Sequence, residues 1–130
     1  MIVLDASVVI EILLQSSAGL RIQERVLGEA EDRHAPHLLD VEVSQIVRRY
    51  SLRGEIAPER GRQMLEDLAV FPIERHAHTL LLPRIWELRS NLTAYDAAYV
   101  ALAEALDASL LTRDGGLAAA PGLRTAVLLV

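Results

Sequence analysis

The stretch "MIVLDASVVIEILL", residues 1–14, decides the fold because its pattern changes at Asp5. "MIVL" is short and apolar throughout, the signature of a strand buried on both faces. "SVVIEILL" follows as a helix, so the chain opens strand, aspartate, helix. Near the other end, "SLLTRDGG" (residues 109–116) repeats the first half of that pattern: an apolar strand, then Asp114 before Gly115. Asp-Gly there signals a turn.

Between these two points the pattern alternates. A second helix is expected over "AGLRIQERVLGEAED" (18–32), and a short extended piece in "HAPHLL" (34–39) with Pro36 at its boundary. In "LDVEVSQIVRRYSLRG" (39–54), Leu39, Val43, Ile46, Val47 and Tyr50 form one helical stripe that stops at Gly54. "APERGRQMLEDLA" (57–69) reads as a helix with Pro58 near its start. "VFPI" (70–73) reads as a weak strand in which Pro72 suits only an edge position. "HTLLLPRIWELRSN" (78–91) is helical with Pro83 as a break or first-turn residue, and a further helix covers 93–107. "TAVLLV" (125–130) is expected to close the chain as a buried strand. Apolar strands alternating with helices indicate an α/β fold whose parallel sheet is covered on both sides.

The chain has 130 residues, enough for one domain (1–130) and one core. Its apolar share is 52%, with mean hydropathy +0.25, so part of that surface is expected at an interface with another chain. Cysteine is absent, which excludes disulfides and thiolate metal sites and fits a reducing cytoplasm. No apolar run has bilayer-spanning length, and the N-terminus lacks a basic leader, so no membrane partner is expected. The formal charge of -5 argues against nucleic-acid binding by bulk attraction. All 13 basic residues are arginine, however, and arginine is the better bidentate phosphate clamp.

Four acids stand out, each with an ordinary explanation. Asp5 is placed as an N-cap and Asp114 as a turn former. Asp96 lies three residues after Thr93, as in a capping box. Glu42 falls about 40° off the edge of the apolar stripe on its helix, while Asp40 flanks the other side. Helical geometry alone does not choose between those two. Jointly they say more, since open parallel sheets bind ligands at the carboxyl ends of their strands, where Asp5 and Asp114 both lie. Asp96 poses a difficulty, because a helix antiparallel to the strands is expected to start at the opposite edge unless its first turn leans over the sheet. His34, His37, His76 and His78 form no paired metal motif and read as surface or packing residues; Trp86 and Tyr50 read as core or interface.

"MIVLDASVVI", "APHLLDVEVSQIVRR", "LTAYDAAYVALAEAL" and "SLLTRDGGL" have the order and spacing that resemble PIN-domain ribonucleases, and in particular VapC-type toxins of bacterial toxin–antitoxin pairs. The resemblance implies a three-layer α/β/α sandwich around a five-stranded parallel sheet. It implies that Asp5, Glu42, Asp96 and Asp114 converge in one acidic pocket, with Ser7 and Thr112 supporting it. Asp5, Asp96 and Asp114 would hold Mg²⁺ or Mn²⁺, the ions that an all-oxygen ligand set selects. Glu42 would orient the attacking water or act from the outer shell, and Arg113, Arg48 and Arg49 are candidates for RNA phosphate contacts. Many members of the family carry a further acid after the fourth; here Gly115, Gly116 and Leu117 follow, so a second metal would bind weakly or only together with substrate phosphate.

The expected activity is therefore endonucleolytic cleavage of RNA by a homodimeric toxin held in check by a VapB-like antitoxin. A non-catalytic PIN-like module that binds RNA or protein is the alternative. A phosphoacceptor signalling domain fits less well, because "DAS" lacks that fold's acidic pair and the chain has no lysine.

Overall fold

The computed structural model describes residues 1–28 and 30–130. Its five strands form one sheet in the order β3-β2-β1-β4-β5, with every pair parallel. The strands are β1 (Ile2–Leu4), β2 (Arg33–Pro36), β3 (Glu74–His76), β4 (Ser109–Thr112) and β5 (Val127–Leu129). The helices are α1 (Ala6–Leu14), α2 (Ser17–Gly28), α3 (Leu38–Leu52), α4 (Pro58–Val70), α5 (Leu82–Glu87), α6 (Ala94–Leu106) and α7 (Gly115–Ala118), with a 3-10 turn at Thr79–Leu81. No helix among the described residues is long and apolar enough to cross a membrane.

Topology sets the layers. From β1 the chain steps outward through β2 to β3, then returns past β1 to β4 and β5. Right-handed crossovers put α1–α4 on one face and, after the reversal, α5–α7 on the other. The result is the three-layer sandwich expected. The reversal falls between β1 and β4, the switch point at which such sheets bind ligands. Both strands are apolar, and Val3, Leu4, Leu110 and Leu111 are buried at the centre of the core.

Local chemistry explains the element ends. Asp5 caps α1 and Thr93 caps α6 through side-chain oxygens. Pro58 stands in the first turn of α4, and Gly54 has φ +73, a left-handed position just past α3. A bidentate Arg84–Glu104 pair (2.7 and 3.1 Å) pins α5 to α6.

Several sequence expectations need correction. "VFPI" is not a strand: α4 continues through Val70, and β3 is the polar "ERH" that follows. An edge strand needs no apolar run, so its signal was missing. "TAVLLV" contributes β5, but Leu129 is 59% exposed, because β5 is the other edge and four-residue α7 covers little of it. "RDGG" is more than a turn, since Asp114 caps α7. The helix expected over 78–91 is split into the 3-10 turn and the short α5. That expected over 18–32 ends at Gly28; Glu29 lies outside the described residues. The difficulty over Asp96 also dissolves. A crossover leaves a strand at its carboxyl end and runs back, so α6, which feeds β4, begins at the carboxyl edge.

Helices α1 and α2 meet so closely that a Cβ on Gly19 would stand 1.9 Å from the Glu11 carbonyl oxygen. Backbone cannot yield there without moving a helix. Gly19→Ala is therefore expected to cost about 1–3 kcal/mol in urea unfolding. An unchanged midpoint would show that the two helices separate freely.

Candidate active site

Asp5 is 6% exposed and follows β1 directly. Its Oδ1 accepts from Ser7 N–H (2.7 Å), from Val8 N–H (3.2 Å) and from the Ser7 hydroxyl; its Oδ2 accepts from the Thr112 hydroxyl (2.5 Å). The N-cap explanation is thus correct for Oδ1, and it leaves one lone pair on Oδ2. Thr112, wholly buried at the end of β4, in turn accepts from Asp114 N–H (3.0 Å), and Ser7 accepts from Arg113 N–H (2.9 Å). Two hydroxyls therefore tie β1 to the β4–α7 corner. Asp114 repeats the arrangement, with Oδ1 capping Gly116 and Leu117 (2.8 and 3.3 Å) and Oδ2 left for another partner.

Asp96 stands in the first turn of α6, where its N–H donates to Thr93 Oγ1 (3.2 Å). The capping is done by Thr93, so the Asp96 carboxylate is released from that duty. Burial raises its pKa, and the negative charges of Asp114 and then Asp5 raise it further. Glu42 behaves alike: burial first, then Asp96 and Asp5, push its pKa up, opposed by Tyr99. These effects put Glu42 near Asp96 and Asp5, and Asp96 near Asp114 and Asp5, at the carboxyl ends of β1 and β4.

Asp40 is separated from them. Arg75 Nε binds both its oxygens (3.0 and 2.8 Å), and the same guanidinium donates to Leu68 O (2.7 Å). Of the two acids that helical geometry left open, Glu42 is the one near Asp96 and Asp5.

Sequence reasoning missed Tyr99, three residues after Asp96 and therefore on the same side of α6. It is 2% exposed. Its hydroxyl and Glu42 Oε1 are both buried without a hydrogen-bond partner, yet each perturbs the other's protonation. Burial, followed by Glu42, pushes the phenol far up, so it remains a proton donor aimed at Glu42. The aspartate-to-tyrosine spacing was the available signal.

The arginines separate by position. Arg49 lines a cleft of about 420 Å³ together with Glu42, Val41, Ile46 and Tyr95. Arg48 is exposed and, one residue earlier on α3, turned about 100° from Arg49. Arg113 is exposed and donates to Val130 O (3.3 Å). Of the histidines, His37 and His78 are exposed, but His34 is buried and meets His76 across β2 and β3, so packing alone does not describe that pair.

The donor set fits a hard divalent cation: carboxylate oxygens only, two of the groups raised in pKa by burial and then by neighbouring negative charge, and one orphaned oxygen on Glu42. Among the described residues, no three of these acids bring an oxygen each within 4.8 Å of one another. Such spacing is wider than a shell in which three of these carboxylates bind one ion directly; an ion held here would keep some of its waters.

A PIN-domain family model matches residues 2–123. "Ribonuclease VapC1" of Mycobacterium tuberculosis is 44% identical over 129 residues, covering 98% of this chain and 96% of the relative. "Ribonuclease VapC12" of the same species is 38% identical over 130 residues, covering 100% and 99%. Among solved structures, VapBC2 from Rickettsia felis bound to a promoter DNA fragment superposes with TM-score 0.71 at 14% identity, covering 99% of this chain and 98% of that one, a likeness of fold.

Raised carboxylate pKa values make ionisation oppose folding. Their contribution is favourable below the unfolded carboxylate range and is lost as pH rises through the folded values. Asp96→Asn is therefore expected to raise Tm at neutral pH by a few °C, about 1 kcal/mol or less after solvent screening. The gain should close as pH falls below the folded pKa of Asp96. A lower Tm for the variant in neutral-pH calorimetry would contradict the crowding of the pocket.

Proposed function

The chain belongs to the PIN-domain family and, within it, to the VapC type; from that premise we propose that it is a metal-dependent endoribonuclease acting as the toxin of a toxin–antitoxin pair. The observation that carries this reading is the crowding of Asp5, Glu42, Asp96 and Asp114 at the switch point, in a chain whose relatives are named ribonucleases.

Asp5, through Oδ2, with Asp96 and Asp114, would hold Mg²⁺ or Mn²⁺. Such an ion, when bound, acidifies a water and neutralises charge on phosphate oxygens. The chain's own residues do the remainder. Ser7 and Thr112 fix the Asp5 carboxylate so that it does not rotate away from the pocket. Glu42, its pKa raised, is poised to take the proton from a water attacking phosphorus in line, as one P–O ester bond breaks. Arg49, on the cleft beside Glu42, is placed to hold a flanking phosphate. Arg113, partly committed to Val130, is the second such candidate, and Arg48 the third.

Antitoxin and homodimer call for two apolar surfaces. The cleft beside Glu42, with Val41 68% and Tyr95 61% exposed, suits a VapB-like antitoxin segment lying over the pocket. Leu80, Leu82 and Trp86, all exposed around the 3-10 turn and α5, suit contact with a second copy. A cysteine-free chain of this kind is suited to the cytoplasm.

Purified variants should separate on an RNA substrate with Mg²⁺ or Mn²⁺. Asp5→Asn and Glu42→Gln are expected to lose at least ~100-fold in cleavage, whereas Asp40→Asn stays within a few-fold of wild type. Wild-type cleavage by folded Asp5→Asn, with contaminating nuclease excluded, would reject the site, whereas no cleavage by the wild type would leave the non-catalytic reading. For the second copy, Trp86→Glu is expected to convert a dimer to a monomer in light scattering, and an unchanged mass would move the dimer contact elsewhere.

A further inference from the structure

The histidine pair on the far side of the sheet has no part in the chemistry described so far. In the pleat of β2 and β3, Ala35 and Arg75 face the α3–α4 layer, where Arg75 binds Asp40 and Leu68 O. His34, Glu74 and His76 therefore share the opposite face. Register fixes them together, because His34 pairs with Glu74, and His76 stands one pleat repeat further along β3.

The three side chains converge on a point. His34 Nδ1 lies 2.9 Å from His76 Nε2 and 3.6 Å from Glu74 Oε2, and His76 Nε2 lies 3.9 Å from Glu74 Oε1. A tetrahedral ion with bonds of about 2.0–2.1 Å spaces its donors by ~3.3–3.4 Å. The observed separations straddle that figure. An N–H···N bond between the rings accounts for the first distance and an ion pair with a protonated ring for the carboxylate; with both rings neutral, the same three donors converge on one point and are free to ligate.

We propose that His34, Glu74 and His76 form a second cation site, which binds a divalent transition ion such as Zn²⁺ through three protein donors and one water. Two imidazoles select such an ion, whereas the all-oxygen pocket at the switch point selects Mg²⁺ or Mn²⁺; donor chemistry sorts the metals between the two. His34 is 5% exposed and supplies the rigid donor. Glu74 and His76 lie on the edge strand, with side chains 68% and 24% exposed, so ion and water reach the site from solvent.

The ion's place in the fold gives it a mechanical consequence. It ties three-residue β3 to β2 and, through His37 N–H donating to His76 O (2.8 Å), fastens the root of α3, the helix that carries Glu42.

Cobalt titration of the metal-stripped full chain in excess Mg²⁺ tests the proposal, since Co²⁺ on a tetrahedral nitrogen-containing site gives an intense visible band. One equivalent is expected to produce that band, to raise Tm, and to be displaced by Zn²⁺. Asp96→Asn should bind as wild type. Glu74→Gln should weaken binding by at least ~10-fold, and His76→Gln should abolish it, with circular dichroism checking its fold; if that variant does not fold, exposed Glu74→Gln decides. No band in the wild type, undiminished binding in Glu74→Gln, a band kept by folded His76→Gln, or loss of binding in Asp96→Asn would each overturn the proposal.

Discussion

The Asp5 carboxylate is the joint on which the rest depends. It accepts from two backbone N–H groups at the start of α1 and from hydroxyls on α1 and β4, so a single side chain fixes a helix start, a strand end and their neighbour across the switch point. Charge-assisted bonds of this kind are the stronger ones, and burial strengthens them further. Because the bonds fall mostly on Oδ1, the same group keeps an acceptor position on Oδ2. Capping and ligation are therefore not rival explanations of Asp5; the first would orient the group for the second. Asp114 follows the same logic at the start of α7.

Asp96 and Glu42 are held differently. Neither is locked by capping its own helix: Thr93 performs that task for α6, and Glu42 lies within α3. Both are half-buried and face other negative charges, and their raised pKa values measure that cost. Packing of α6 against β1 and β4 compels the approach, with Tyr99 anchoring the helix inside the core and directing its hydroxyl toward Glu42. The fold spends stability to gather like charges at the carboxyl ends of β1 and β4. Asp40 stands apart from this group, paired with Arg75.

Much of this was legible in the chain itself. Apolar β1 and β4, the caps at Asp5 and Thr93 and the stripe on α3 are local signals, and each reappears in the structure. Of the edges, β3 was not legible, because it is polar, and β5 was legible as a strand but not as an exposed one. The choice of Glu42 over Asp40 depended on Arg75, 35 residues away, which no helical wheel contains. The meeting of His34 with His76 depended on the register of β2 with β3, equally remote from any local pattern. Tyr99 was hidden differently: a tyrosine in an apolar helix looks like core, and it is core, while its one polar atom faces the pocket.

The central claim is that crowded acids at the switch point are relieved by a shared divalent ion. Carboxyl ¹³C NMR titration of Asp96, with and without saturating Mg²⁺, tests it most directly. The account predicts a pKa above the ordinary carboxylate range without the ion and below that range with it. An ordinary value in both conditions, indifferent to Mg²⁺, would contradict it.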